Sequence, residues 1–319
     1  MKLRFINILI TMFMLANTSV CAASYVVSAD GNGDYKSIQA AIDNLRAFSP
    51  VPHTLYLKPG IYKEKIVLPT WLTNLTVIGE DVDNTIIVWS DYSGKTKHLT
   101  TFNSYTLLIS GSDILFENIT IKNDAGPVGQ AVALHIEGDR VVFNNCKILG
   151  DQDTIYLGRE GARAFFYNCF INGTTDFIFG PSTAYFKNCT IQSKRNSYIT
   201  AASTPEAIKH GFVFENCKLE AEPSVTKVYL GRPWRDYAKT VFINCEMDKH
   251  IRAEGWHNWG RVDAEKRTFY AEYGSTGEGA NDEERVKWSH ILKNKEIKNY
   301  SIEKVLNGYD NWNPLEIVK

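Results

Sequence analysis

The chain has almost no net charge. Across 319 residues, 35 Lys and Arg stand against 36 Asp and Glu, a formal −1. So even a balance excludes a broad electrostatic partner, nucleic acid above all. Cysteine and histidine are scarce, six and seven residues, with no Cys-x-x-Cys pair and no His cluster at ligand spacing. A metal centre is therefore not expected, and no other cofactor is implied. Past residue 23 no apolar run is long enough to cross a bilayer, so no membrane span is expected.

The early apolar run, residues 6–16, follows Lys2 and Arg4 and leads to Cys21-Ala22-Ala23. A positive start, a short apolar stretch and a small-residue end make the pattern of a secretory signal peptide. Residues 1–23 are expected to be that peptide and residues 24–319 a single exported domain, secreted or periplasmic. Lipid attachment at Cys21 stays open, although Thr18-Ser19-Val20 ahead of it suit such a site poorly. Export ordinarily favours disulfides. The five cysteines beyond the signal peptide are odd in number, however, and all fall at one position of a repeat. Free cysteine behaves as a small hydrophobe, so a buried thiol ladder is the expectation.

That repeat is the main positive signal. Phe-x-Asn followed by a small apolar residue recurs at Phe116, Phe143, Phe166, Phe186, Phe214 and Phe242, 20 to 28 residues apart. The small slot holds Ile119, then Cys146, Cys169, Cys189, Cys217 and Cys245. Two residues beyond it stand Ile121, Ile148, Ile171, Ile191, Leu219 and Met247. Periodicity of this length marks stacked coils. Phe and the small slot lie three apart, which one flat strand would point to opposite faces. A bend at the intervening Asn turns both inward, and Asn tolerates the left-handed backbone such a bend requires. Stacked Asn amides are expected to hydrogen-bond from coil to coil. Short strands joined at an Asn bend describe an all-β parallel β-helix.

The ends should differ from the coils. Residues 35–45 place Ile38, Ala41, Ile42 and Leu45 at helical spacing, with Asp34 as the expected cap. This helix would close the N-terminal end of the stack. Strand-like runs follow at 54–57, 66–68, 75–78, 85–88 and 106–109. After residue 271 the repeat is lost, and helical patterns near 286–292 and 302–306 suggest a tail packed on the barrel.

Asp153 lies eight residues after Asn145, and Asp176 eight after Asn168. Coils stacked in register place these carboxylates one above the other, about 4.8 Å apart at the backbone. Like charges that close raise one pKa, so the pair is expected to hold one proton near neutral pH. One carboxylate can then attack while the other moves protons. The competing reading is two solvated loop aspartates. Apolar and aromatic neighbours in Gly150-Asp151-Gln152-Asp153-Thr154-Ile155-Tyr156 and Gly173-Thr174-Thr175-Asp176-Phe177-Ile178-Phe179-Gly180 weigh against it.

These two segments, with Leu230-Gly231-Arg232-Pro233-Trp234, resemble the signature segments of the pectin methylesterase (pectinesterase) family. Gly60-Ile61-Tyr62-Lys63-Glu64 and Gln130-Ala131-Val132-Ala133-Leu134 resemble two more, all in the family's order. The resemblance implies a right-handed parallel β-helix without metal and methyl-esterified homogalacturonan (pectin) as partner; the chain is expected to be a monomer. It implies Asp176 as the nucleophile on the methyl-ester carbonyl of a galacturonate. Asp153 would be the acid that protonates departing methanol and then the base that activates water. Gln130 and Gln152 match the oxyanion amides, and Arg232 the residue that orients the nucleophile. Trp234 matches an aromatic floor for the sugar, and Thr101 a substrate contact. Phe177 and Phe179 alternate with Ile178 and are expected to share a face, with Phe179 either at the cleft or in the core. Ala202 follows Ile199-Thr200-Ala201 where many members carry Gln or Pro.

A backbone-cleaving hydrolase or lyase on the same fold is the main alternative, since paired carboxylates also serve glycosidases. Two neutral amides beside them suit an oxyanion better than an oxocarbenium ion. A non-catalytic adhesin or glycan-binding module would leave the stacked aspartates without a role.

Overall fold

The computed structural model describes residues 22–281 and 283–318; most of the expected signal peptide, residues 1–21, lies outside them. The chain winds through three parallel sheets of 11, 8 and 7 strands. A representative coil runs Val141–Asn144 in the first sheet, Lys147–Leu149 in the second and Ile155–Leu157 in the third. The next coil repeats this in register: Phe143 pairs with Phe166, Ile148 with Ile171 and Ile155 with Ile178. The architecture is a right-handed parallel β-helix.

The repeat has a direct structural cause. All six repeat Asn residues, 118, 145, 168, 188, 216 and 244, hold left-handed backbone at φ 50–56°. Each bend turns both the Phe before it and the small residue after it into the core. The six Phe rings form one internal stack, with centroids 4.4–5.3 Å apart. The five cysteines are buried and unbridged. Each thiol points at the carbonyl of the repeat Phe one coil earlier, at 3.4–3.6 Å. The Asn ladder forms less completely than expected. Among the described residues one rung closes, Asn145 Nδ2 donating to Asn118 Oδ1 at 2.7 Å. Most of these amides stand exposed on the outer side of the bend, where water competes for them.

The N-terminal helix, α1, is shorter than expected, Ile38–Asp43, and Asp34 does not cap it. Ser37 does, its hydroxyl accepting from Ala40 N–H. Glu64, from the resembling segment at residues 60–64, accepts from Ile38 N–H, Gln39 N–H and the Ser37 hydroxyl. A carboxylate at a helix N-terminus satisfies orphan donors and opposes the helix dipole. Asp34 is spent elsewhere, accepting from Val26 N–H. Ile38, Ala41 and Ile42 are buried, and α1 packs on Ser24–Val27 and Ile66–Leu68 at the open end.

The tail lies on the outer face of the first sheet. Helix α2, Ile302–Leu306, forms as expected and buries Ile302, Val305 and Leu306 in a second apolar cluster with Phe165, Tyr185 and Val213. Arg163 anchors it through Leu306 O at 2.9 Å and Asp310 at 2.7 Å. Residues 286–292 are not helical. His290–Ile291 instead adds a strand to the exposed edge beside Phe269–Tyr273, meeting the backbone needs of that edge. Arg285 is buried in an ion pair with Glu272 at 2.8 Å, and a turn closed by Ser289 N–H donating to Val286 O leads from it into the strand.

Candidate active site

The third sheet presents one outward column across successive coils: His135, Tyr156, Phe179 and Ala201, paired in register. The turns feeding this sheet from the second carry Asp153 and Asp176. Both sit at left-handed bends, φ 66° and 48°, rather than within strands as the apolar flanks suggested. Aspartate tolerates that conformation better than most residues. Each lies two residues before a member of the Ile155–Ile178 pair, so the two occupy one level on adjacent coils. Backbone bonds continue the column: Asp153 N–H donates to Thr175 O at 3.0 Å, and Asp176 N–H to Tyr198 O at 2.9 Å.

Local sequence fixes both turns. Gly150 N–H donates to Asn172 Oδ1, and Lys194 reaches across a coil to Gly150 O and the Asp151 carboxylate, both at 2.8 Å. In the second turn a side chain at Gly173 would meet Phe177 Cβ at 2.2 Å, so only glycine lets that phenylalanine fold beneath the bend. Phe177 therefore belongs to the interior core while Phe179 joins the cleft cluster. The two do not share a face, because strand alternation begins only at Ile178, after the bend.

Arg232 arrives from a later coil, its N–H bonded to Thr200 O. The guanidinium meets Asp176 edge on, Nε to Oδ1 at 2.9 Å and Nη2 to Oδ2 at 2.6 Å. Gln130 and Gln152 stand on adjacent coils, bridged backbone to backbone, and the Gln130 amide favours the charged form of Asp153. Both aspartates are nearly enclosed, 4% and 6% exposed. Burial and then the Asp176 charge push Asp153 up to about 8, against the pull of Gln130 and Arg232. Burial also raises Asp176, but the Arg232 hydrogen bonds and charge oppose it. Near neutrality the proton resides on Asp153 and the negative charge on Asp176.

A cleft of about 200 Å³ opens over this pair. All eight residues expected from the sequence line it: Thr101, Gln130, Gln152, Asp153, Asp176, Phe179, Arg232 and Trp234. Thr101 sits on the short 3-10 turn Thr101–Asn103. Trp234 lies 5.8 Å from the Phe179 ring. Sequence reasoning missed Phe102, Ala201 and Trp259 in the same lining. Phe102 is 46% exposed and rests against Tyr156 at 5.1 Å. Ala202, the departure from the family pattern, faces the interior core and does not line the cleft.

A carboxylate gripped by an arginine, a neighbouring carboxyl pushed toward its protonated form and side-chain amides in the same cleft are the groups that a carboxylate-dependent hydrolase uses. Comparison with known proteins places it more closely. The sequence matches the Pectinesterase family over residues 24–309. Pectinesterase 31 of Arabidopsis thaliana is 36% identical over 284 residues, covering 86% of this chain and 89% of that protein. Other relatives are longer, and the chain spans 51% and 53% of two of them. The structure of the pectin methylesterase from carrot aligns with a TM-score of 0.85 at 32% identity, over 92% of this chain and 96% of the other. A pectin methylesterase in complex with a hexasaccharide aligns with a TM-score of 0.76 at 30% identity, over 92% and 100%. The chain belongs to the pectinesterase family, whose members are carboxylic ester hydrolases.

Proposed function

We propose that this cleft demethylates methyl-esterified polygalacturonate, releasing methanol. The observation that carries the reading is the division of labour between two aspartates on adjacent coils. Asp176, ionised and oriented by Arg232, attacks the ester carbonyl. The oxyanion that forms accepts hydrogen bonds from the Gln130 and Gln152 amides, a kind of contact worth about 3 kcal/mol per donor. The carbon–methoxy bond breaks as Asp153, still protonated because burial lifts it to about 8, gives its proton to the leaving oxygen. Methanol departs and leaves an anhydride on Asp176. Asp153, now a carboxylate, takes a proton from water as the water oxygen attacks the acyl carbon. Asp176 leaves as carboxylate, the polymer carries a free acid, and Asp153 is protonated again.

Phe179, Trp234 and the Phe102–Tyr156 pair offer aromatic faces to the sugar rings, with Thr101 at the rim. Pectin is thus the proposed partner of a monomeric enzyme. We also read residues 1–23 as a secretory signal and residues 24–319 as one domain, secreted or periplasmic. The family match from residue 24 and the first strand from Ser24 support that division.

Assaying methylated pectin for methanol and for new chain ends tests the reaction. Methanol without chain ends is expected. New reducing or unsaturated ends without methanol would establish a backbone hydrolase or lyase, and neither product would leave a binding module.

A further inference from the structure

We infer that Tyr198 and Trp259 form an aromatic clamp that positions Arg232 against Asp176, with Tyr198 acting as a positioning residue outside the cleft. The Arg232 guanidinium carbon lies 4.0 Å from the centre of the Tyr198 ring and 3.6 Å from that of Trp259. A planar cation between two aromatic faces gains from both quadrupoles and cannot tilt without losing one of them. Its free edge is then fixed toward the two Asp176 oxygens, and that edge makes both bonds.

Each plate has its own support. Tyr198 lies one coil beyond Asp176, accepts that residue's backbone N–H, and stacks on Tyr229 at 5.3 Å and 11°. Trp259 holds a left-handed backbone, φ 59°, which is unfavourable for a bulky side chain. Its N–H donates to His257 Nδ1 at 3.0 Å. His257 in turn donates its own N–H to Gly231 O, next to Arg232, and rests on the Tyr198 and Tyr229 rings. Accepting at Nδ1 requires a neutral imidazole, and burial with the Arg232 and Arg252 charges lowers the His257 pKa. A left-handed Trp tied back to the arginine it covers is strain held in place by the surrounding structure. Positioning Arg232 gives that strain a purpose.

The clamp matters because burial alone raises Asp176, and only Arg232 opposes it. A tilted guanidinium would let Asp176 take up a proton and lose its aim. The groups facing Asp176 that bear charge or titrate are Arg232, Asp153 and Tyr270. Of these the clamp contacts Arg232.

The consequence for catalysis rests on the proposed reaction, but the clamp can be read without substrate. Carbon-13 NMR of protein labelled at aspartate carboxyls follows the Asp176 titration directly. In Tyr198→Leu and Trp259→Leu the midpoint should rise by about half a pH unit or more, and Tyr198→Phe, which keeps the ring, should match wild type. In methanol release, Tyr198→Leu should lose about tenfold or more in kcat with little change in KM. Should Tyr198→Leu not fold, Trp259→Leu carries the NMR comparison alone. An unmoved Asp176 midpoint in the folded Leu variants, or Tyr198→Phe as impaired as Tyr198→Leu, overturns the clamp. Wild-type protein that releases no methanol would instead refute the proposed reaction and leave the NMR result standing.

Discussion

Arg232 grips both oxygens of Asp176, at 2.9 and 2.6 Å, while Asp153, one coil earlier, makes no ion pair among the described residues and feels only the neutral Gln130 amide and the more distant Arg232 charge. This asymmetry assigns opposite protonation states to two carboxyls in similar burial. A symmetric pair would share its proton, and neither member would be ready for one role.

Arg232→Gln removes the cation that opposes burial at Asp176. Asp176 should then protonate at higher pH, so the acidic limb of the kcat profile moves upward and the maximum falls by about a hundredfold. Arg232→Lys keeps charge without the planar fork and should fall between. An unmoved acidic limb in folded Arg232→Gln would show that Arg232 serves the substrate and not the nucleophile.

The alkaline limb belongs to Asp153, which must be protonated to release methanol. With its pKa near 8, kcat should decline above about that pH. The same shift has a cost in stability. The folded protein keeps this proton where the unfolded chain, with an ordinary aspartate, would lose it. Stability is therefore full below the usual aspartate range and declines as pH rises toward 8. Asp153→Asn should abolish activity yet raise unfolding stability at pH 7.5 by ~1 kcal/mol or more, with the gain vanishing near pH 4. Denaturant melts at the two pH values check it, and equal gains at both would contradict the linkage.

The cysteine ladder should be fully reduced. Each thiol has a backbone carbonyl of the preceding coil within reach, none of the five is bridged, and Ile119 fills the same slot in the first copy. Alkylation of denatured, unreduced protein followed by mass spectrometry should label all five of Cys146, Cys169, Cys189, Cys217 and Cys245. Two disulfides among them would refute the ladder.

What the sequence made legible was whatever repeats. The Phe, Asn and Cys periodicities set the coil, and counting from the Asn put Asp153 and Asp176 at one level, because register in a parallel stack is a matter of arithmetic. Non-periodic features were harder to read. Ser37 rather than Asp34 caps α1 because Glu64, remote in sequence, completes the cap. Residues 286–292 carry a helical pattern but pair with a sheet edge that exists only in the folded stack. Phe177 turned inward because a left-handed bend precedes it. Trp259 went unnoticed although it stands 27 residues after Arg232, within the coil spacing of the repeat. Tyr198, 22 after Asp176, carried the same signal.

The central claim is that Asp176 is the nucleophile, and methanol release by Asp176→Asn on methylated pectin tests it most directly. The substitution keeps shape while removing the attacking charge, so pectin binding and the melting profile should stay close to wild type. Methanol release should fall below about a thousandth of wild type. Folded Asp176→Asn retaining more than that would contradict covalent catalysis at this position.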